Sequence, residues 1–73
     1  MNSELIVRRA KEGHYDVLDP ADPNFLIKEI SEAQLLGYLK NRKLLVTTAE
    51  EVLKQFDINA SRTEVHVSID SSL

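Results

Sequence analysis

Seventy-three residues carry nine Lys and Arg, twelve Asp and Glu, a net charge of −3, 42% hydrophobic residues, two Gly, two Pro and no Cys. Such a chain has room for one small core, and the absence of Cys excludes a disulfide framework, a thiolate nucleophile and a Cys-based zinc site and suits a reducing, cytoplasmic compartment. The acidic balance speaks against a protein held to nucleic acid by bulk positive charge, and no apolar run is long enough for a membrane span or signal peptide.

Glu4 to Ala10 begins with Leu-Ile-Val and ends in Arg8-Arg9, which predicts a first strand. Lys11-Glu12-Gly13 supplies a turn with glycine where positive φ is easiest. His14 to Asp19 then reads as a second strand with Tyr15 and Val17 on one face, so the two strands form a β-hairpin. Asp19-Pro20-Ala21-Asp22-Pro23-Asn24 is the strongest turn signal in the chain, because both prolines fix φ and hold the preceding residue out of the helical region. Phe25 to Ile30 follows as a third strand, with Phe25 and Ile27 facing one way, and completes an antiparallel meander.

Two helices come next, each with a readable start. Ser31-Glu32-Ala33-Gln34 is a capping box, and Ile30 with Leu35 is placed to form a hydrophobic staple. Leu35, Leu36 and Leu39 give the apolar stripe of the first helix, and Lys40, Arg42 and Lys43 crowd its end, where cations suit the helix dipole. Asn41 is a stop. Thr48-Ala49-Glu50-Glu51 is a second box, followed by Val52, Leu53 and Phe56 on the same face as Ala49; this helix should end near Asp57-Ile58-Asn59. Leu44-Leu45-Val46, short and apolar, is expected to be buried as a brief strand.

Thr63, Val65, Val67 and Ile69 alternate with polar residues, which fits either an edge strand of the same sheet or a tail that pairs with a partner's sheet edge. Ser71-Ser72-Leu73 should fray. The predicted fold is α+β: a small three-stranded antiparallel sheet with two helices packed on one face. Residues 1–59 form the domain and 60–73 an edge strand or partly disordered tail. Leu5, Val7, Val17, Phe25, Ile27, Leu35, Leu39, Val52, Leu53 and Phe56 should supply most of the core.

No catalytic set emerges. His14 and His66, the groups that titrate near neutral pH, sit on predicted polar faces and read as surface histidines. No phosphate loop, nucleophile elbow or His-Glu-x-x-His motif occurs, so the chain is read as not an enzyme and without cofactor. Asp16, Asp19 and Asp22 gather oxygens around a turn, but the spacing, central glycine and terminal glutamate of a calcium loop are missing, and aspartate beside proline is turn chemistry. Thr48 to Ile69 has the outline of a helix-turn-helix, weakened by Arg62 being the sole cation of its second element. The basic residues group as Arg8, Arg9 and Lys11 near the hairpin and Lys40, Arg42 and Lys43 after the first helix. Two cationic groups on an acidic body suit a charged protein partner. Tyr15 and Tyr38 are candidate interface anchors, with core filling or half-burial the better reading of Tyr38.

In length, charge and layout the whole chain resembles the small phage-encoded regulators that bind host RNA polymerase. That resemblance implies a stoichiometric protein of the host cytoplasm that occludes or bridges surfaces of a large complex and so modulates initiation or termination. It transfers no functional residue. Two alternatives from other classes stay open: a DNA-binding regulator, by the helix-turn-helix segment or as an antitoxin-like dimer with a basic hairpin, and an inhibitor or accessory subunit of an unrelated enzyme.

Overall fold

A computed structural model describes residues 2–59 and 61–70. Three strands lead the chain, β1 (Asn2–Lys11), β2 (His14–Asp19) and β3 (Asp22–Ser31); helices α1 (Glu32–Lys40) and α2 (Ala49–Ile58) follow, and β4 (Glu64–Asp70) ends it. The sheet is antiparallel throughout, in the order β3-β2-β1-β4. It thus has four strands, not the three of the meander alone. The helices carry the chain from the β3 edge across one face to the free side of β1, where β4 pairs.

The turns form as their residues dictate. Gly13 adopts φ 74° between β1 and β2, a conformation that costs a residue with a Cβ about 1–2 kcal/mol. Asp19 accepts the Ala21 N–H at 2.9 Å and Asp22 accepts the Asn24 N–H at 3.0 Å, so both aspartates fold the chain back through their own side chains. A bulge interrupts the β2–β3 ladder between the pairs Val17–Ile27 and Tyr15–Ile30. There Glu29 takes φ 50°, and its N–H donates to Asp16 Oδ1 at 2.8 Å.

Helix α1 has its full capping box: Ser31 Oγ accepts the Gln34 N–H at 3.3 Å and Gln34 Oε1 accepts the Ser31 N–H at 3.0 Å. Helix α2 has half of one. Thr48 accepts the Glu51 N–H at 3.3 Å, while Glu51 Oε2 accepts the hydroxyl of Thr47 at 3.1 Å.

Alternation along the strands sends Leu5, Val7, Tyr15, Val17, Val65 and Val67 to the helix-covered face. Leu35 and Leu39 of α1 meet them there, with Ala49, Val52, Leu53 and Phe56 of α2. Phe25 and Ile27, expected inside, are only partly buried, because β3 is an edge strand. Tyr38 is half-buried.

Two open alternatives are decided and one expectation needs correction. The core does not end at Asn59: β4 pairs with β1 from Asn2–Asp70 to Arg8–Glu64, and Val67 is 1% exposed, so of the two alternatives for this stretch the edge strand is the one formed. For the same reason Thr48–Ile69 is not a helix-turn-helix, since α2 is followed by a strand. Leu44-Leu45-Val46 is not a buried strand either. Leu44 makes a single bridge to Ile69 and is half-buried, but Val46 is 82% exposed. The flanking bonds, Leu45 N–H to Ser68 O at 3.1 Å and Asp70 N–H to Lys43 O at 2.9 Å, cover the end of the β4 edge with this loop. The fraying expected of Ser71-Ser72-Leu73 lies outside the described residues.

Candidate interaction surfaces

Both helices pack on one face of the sheet, and among the described residues no helix or loop covers the other, the open face. Across it runs a row of cross-strand partners, Leu26 on β3, Leu18 on β2, Ile6 on β1 and His66 on β4. Leu26 is 44% exposed, and Ile6 and Leu18 are half-buried. The local reason is legible: Leu5-Ile6-Val7 and Phe25-Leu26-Ile27 are unbroken apolar runs, and in a strand such a run makes both faces apolar. One face fills the core. The middle residue of each run is left on the other.

A line of charge borders this row. Arg8 stands opposite Asp16 on β2 and opposite Glu64 on β4, with its guanidinium 3.7 Å from the Glu64 carboxylate. His66 Nδ1 lies 2.8 Å from Glu4 Oε1 and its Nε2 3.2 Å from Glu64 Oε1. The two carboxylates raise the His66 pKa above its ordinary 6.5, Glu4 contributing most. His66 is a surface histidine, as expected, and its two carboxylate partners are what the strand pairing adds. The Glu64 contact is local, two positions away on the same strand face, whereas Glu4 and His66 meet only through the β1–β4 register.

The hairpin group of cations is divided by strand alternation. Arg8 faces the open side, whereas Arg9, its neighbour, turns to the helix-covered side. There the Arg9 guanidinium lies 5.1 Å over the Phe56 ring and donates to the Phe56 carbonyl at 3.0 Å. Lys11 is exposed at the end of β1. The second group stays together at the end of α1, and each member has a partner. Lys40 pairs with Glu50 at 2.9 Å and Lys43 with Asp70 at 3.5 Å. Arg42 lies 4.7 Å over the Tyr38 ring and donates to its hydroxyl at 3.1 Å.

Tyr15, a candidate interface anchor in the sequence, is part of the core. It is 5% exposed, with its ring 5.2 Å from that of Phe56. Burial raises its pKa first, and the charge of Glu32 adds to this, while Arg9 opposes it. An open groove of about 620 Å³ passes over Arg9, Tyr15 and Phe56, rimmed by Glu12, Glu32 and Asp57. A second, of about 480 Å³, runs beside the end of α2, where Ile58 is 77% exposed between Lys54 and Arg62.

The aspartates considered for metal are committed elsewhere: Asp16 to the Glu29 bulge, Asp19 and Asp22 to their turns. Among the described residues no group of three or more metal-ligating His, Cys, Asp or Glu side chains converges. No helix among them is long and apolar enough to cross a membrane. No family model, curated protein or solved structure matches this chain.

Proposed function

We propose that the chain is a small, non-enzymatic regulator that works by binding a protein partner through the open face of its sheet. What supports this reading is the row Ile6, Leu18 and Leu26, three apolar side chains held in register across three strands on the face opposite the helices. Apolar residues in register on a sheet surface, bordered by charge, have the layout of an interface core with its polar rim. The alternating charges Asp16, Arg8, Glu64, His66 and Glu4 beside the row provide register and partner choice. Of the six cations expected at an interface, Arg8 belongs to this face and Lys40, Arg42 and Lys43 form a separate group. Arg9 is engaged with Phe56, and Lys11 is free to steer.

The partner implied by the chain's resemblance is RNA polymerase, in a reducing cytoplasm, with modulation of initiation or termination as the result. The helix-turn-helix route to DNA has lost its second helix to β4. The direct test measures binding of the purified chain to bacterial RNA polymerase, core and holoenzyme, beside Leu18→Asp and Leu26→Asp variants shown to be folded. Binding by the wild type that both variants lose supports the reading. No binding by the wild type rejects the polymerase as partner; binding kept by both variants rejects the open face. A triple charge reversal at Lys40, Arg42 and Lys43 then reports whether the second group takes part.

A further inference from the structure

The contacts of His66 pose a problem of donors and acceptors. An ionised carboxylate only accepts hydrogen bonds, and a neutral imidazole carries a single N–H. Yet both ring nitrogens of His66 have a carboxylate oxygen within bonding distance, Glu4 at 2.8 Å and Glu64 at 3.2 Å. Both contacts hold together only when the ring is doubly protonated. With a neutral ring, one nitrogen lone pair faces a carboxylate oxygen and that contact opens.

We propose that Glu4, His66 and Glu64 form a proton-linked clamp on the β1–β4 seam, closed by the imidazolium and loosened when its second proton leaves. Glu4 belongs to β1 and His66 to β4, so the Glu4 contact crosses the seam. The Glu64 contact lies within β4, and Arg8 of β1 engages the same carboxylate at 3.7 Å. The charged groups near the cluster are Glu4 and Arg8 from β1, Glu64 from β4 and Asp16 from β2, which faces Arg8. Asp70, on the same face of β4, is engaged by Lys43, and the helices lie on the opposite face. Around the imidazole the near charges are thus mostly acidic, which favours the protonated ring.

The seam is a consequential place for such a clamp. β4 closes the core with Val65 and Val67, and among the described residues its far edge is covered towards Asp70 by the Lys43–Leu45 loop. The inference is independent of any binding role for the open face.

The test needs only the chain itself. The imidazole nitrogen and carbon shifts of His66 are followed by NMR between pH 5 and 9, and the urea midpoint is followed over the same range. In the wild type, His66 should titrate above 6.5, with both nitrogens protonated below the transition. The histidine's folded pKa is raised, so its contribution to stability is complete below the unfolded value and falls away as pH rises through the folded one. Glu4→Gln should lower the titration midpoint more than Glu64→Gln does, and His66→Gln should remove this part of the pH dependence. A wild-type ring that titrates at or below about 6.5, or a pH dependence of stability that is the same in His66→Gln, would overturn the proposal. The wild-type titration decides the matter even if a variant unfolds.

Discussion

Arg9 and Phe56, 47 residues apart in the chain, are joined twice: the guanidinium lies over the ring at 5.1 Å and donates to the backbone carbonyl at 3.0 Å. The cation thereby ties the end of β1 to the last turns of α2, and it does so beside Tyr15, whose ring also meets Phe56. An arginine that reads in the sequence as one of a basic group is, in the fold, a strut between sheet and helix.

Arg9→Ala should therefore lower stability by about 1–3 kcal/mol, the range of a charge-assisted hydrogen bond plus a partly desolvated cation–π contact. Arg9→Lys should recover only part of it, because an ammonium lacks the planar fork that reaches the carbonyl while lying over the ring. Urea denaturation of the two variants measures both. An Arg9→Ala variant as stable as the wild type would return this residue to the free cations.

Residues beyond Asn59 should be needed for folding, since β4 pairs with β1 and buries Val65 and Val67. Val67→Ala should cost about 2 kcal/mol, from two lost buried carbons at ~0.8 kcal/mol each and a small cavity. Deletion of residues 60–73 removes Val65 and Val67 from the core and leaves β1 without its partner, so the shortened chain should lose its cooperative melt. Circular dichroism with thermal denaturation is sufficient. A truncated chain that melts as the wild type does would mean that β4 is dispensable.

Glu29, at φ 50°, occupies a conformation that glycine adopts without strain. Glu29→Gly should raise stability by up to about 1 kcal/mol, the relief of the Cβ clash less the added freedom of the unfolded chain. Glu29→Val should lower it, since a β-branched residue tolerates this region worst. Asp16→Ala should cost about 0.5–1.5 kcal/mol by removing the acceptor of the Glu29 N–H. Equal melting temperatures for the Gly and Val variants would contradict a positive φ at this bulge.

Tyr15 should make the protein sensitive to alkali. Its hydroxyl pKa is raised above 10.0 by burial and then by Glu32. A raised folded value means that the contribution to stability is intact below pH 10.0 and is lost as pH climbs through the folded pKa. Urea midpoints between pH 8 and 11.5 should fall at the alkaline end for the wild type and fall less for Tyr15→Phe. Parallel curves for the two proteins would show that the ring is free to ionise in the folded state.

Much of this architecture is determined by short-range chemistry that the sequence carries openly. The Gly13 hairpin, the Asp-Pro turns, the Ser31 cap and the Leu35–Leu39 stripe each depend on residues within four positions of one another, so their geometry follows from local sterics and hydrogen bonding. Leu5-Ile6-Val7 and Phe25-Leu26-Ile27 are apolar on both strand faces, but that Ile6, Leu18 and Leu26 line up in one row depends on the strand register. Arg8 and Arg9, grouped as one basic cluster in the sequence, part to opposite faces once the strand forms. The tertiary structure decided everything that depends on which strand lies beside which. A period-two stretch such as Thr63–Ile69 is compatible with a sheet or with a tail until a neighbour supplies its hydrogen bonds, and only the crossing of α1 and α2 brings it to β1. The same pairing places Glu4 against His66, 62 residues away, and the same packing places Arg9 on Phe56. Such contacts are set by register and burial, quantities that belong to the assembled sheet and to no local stretch of chain.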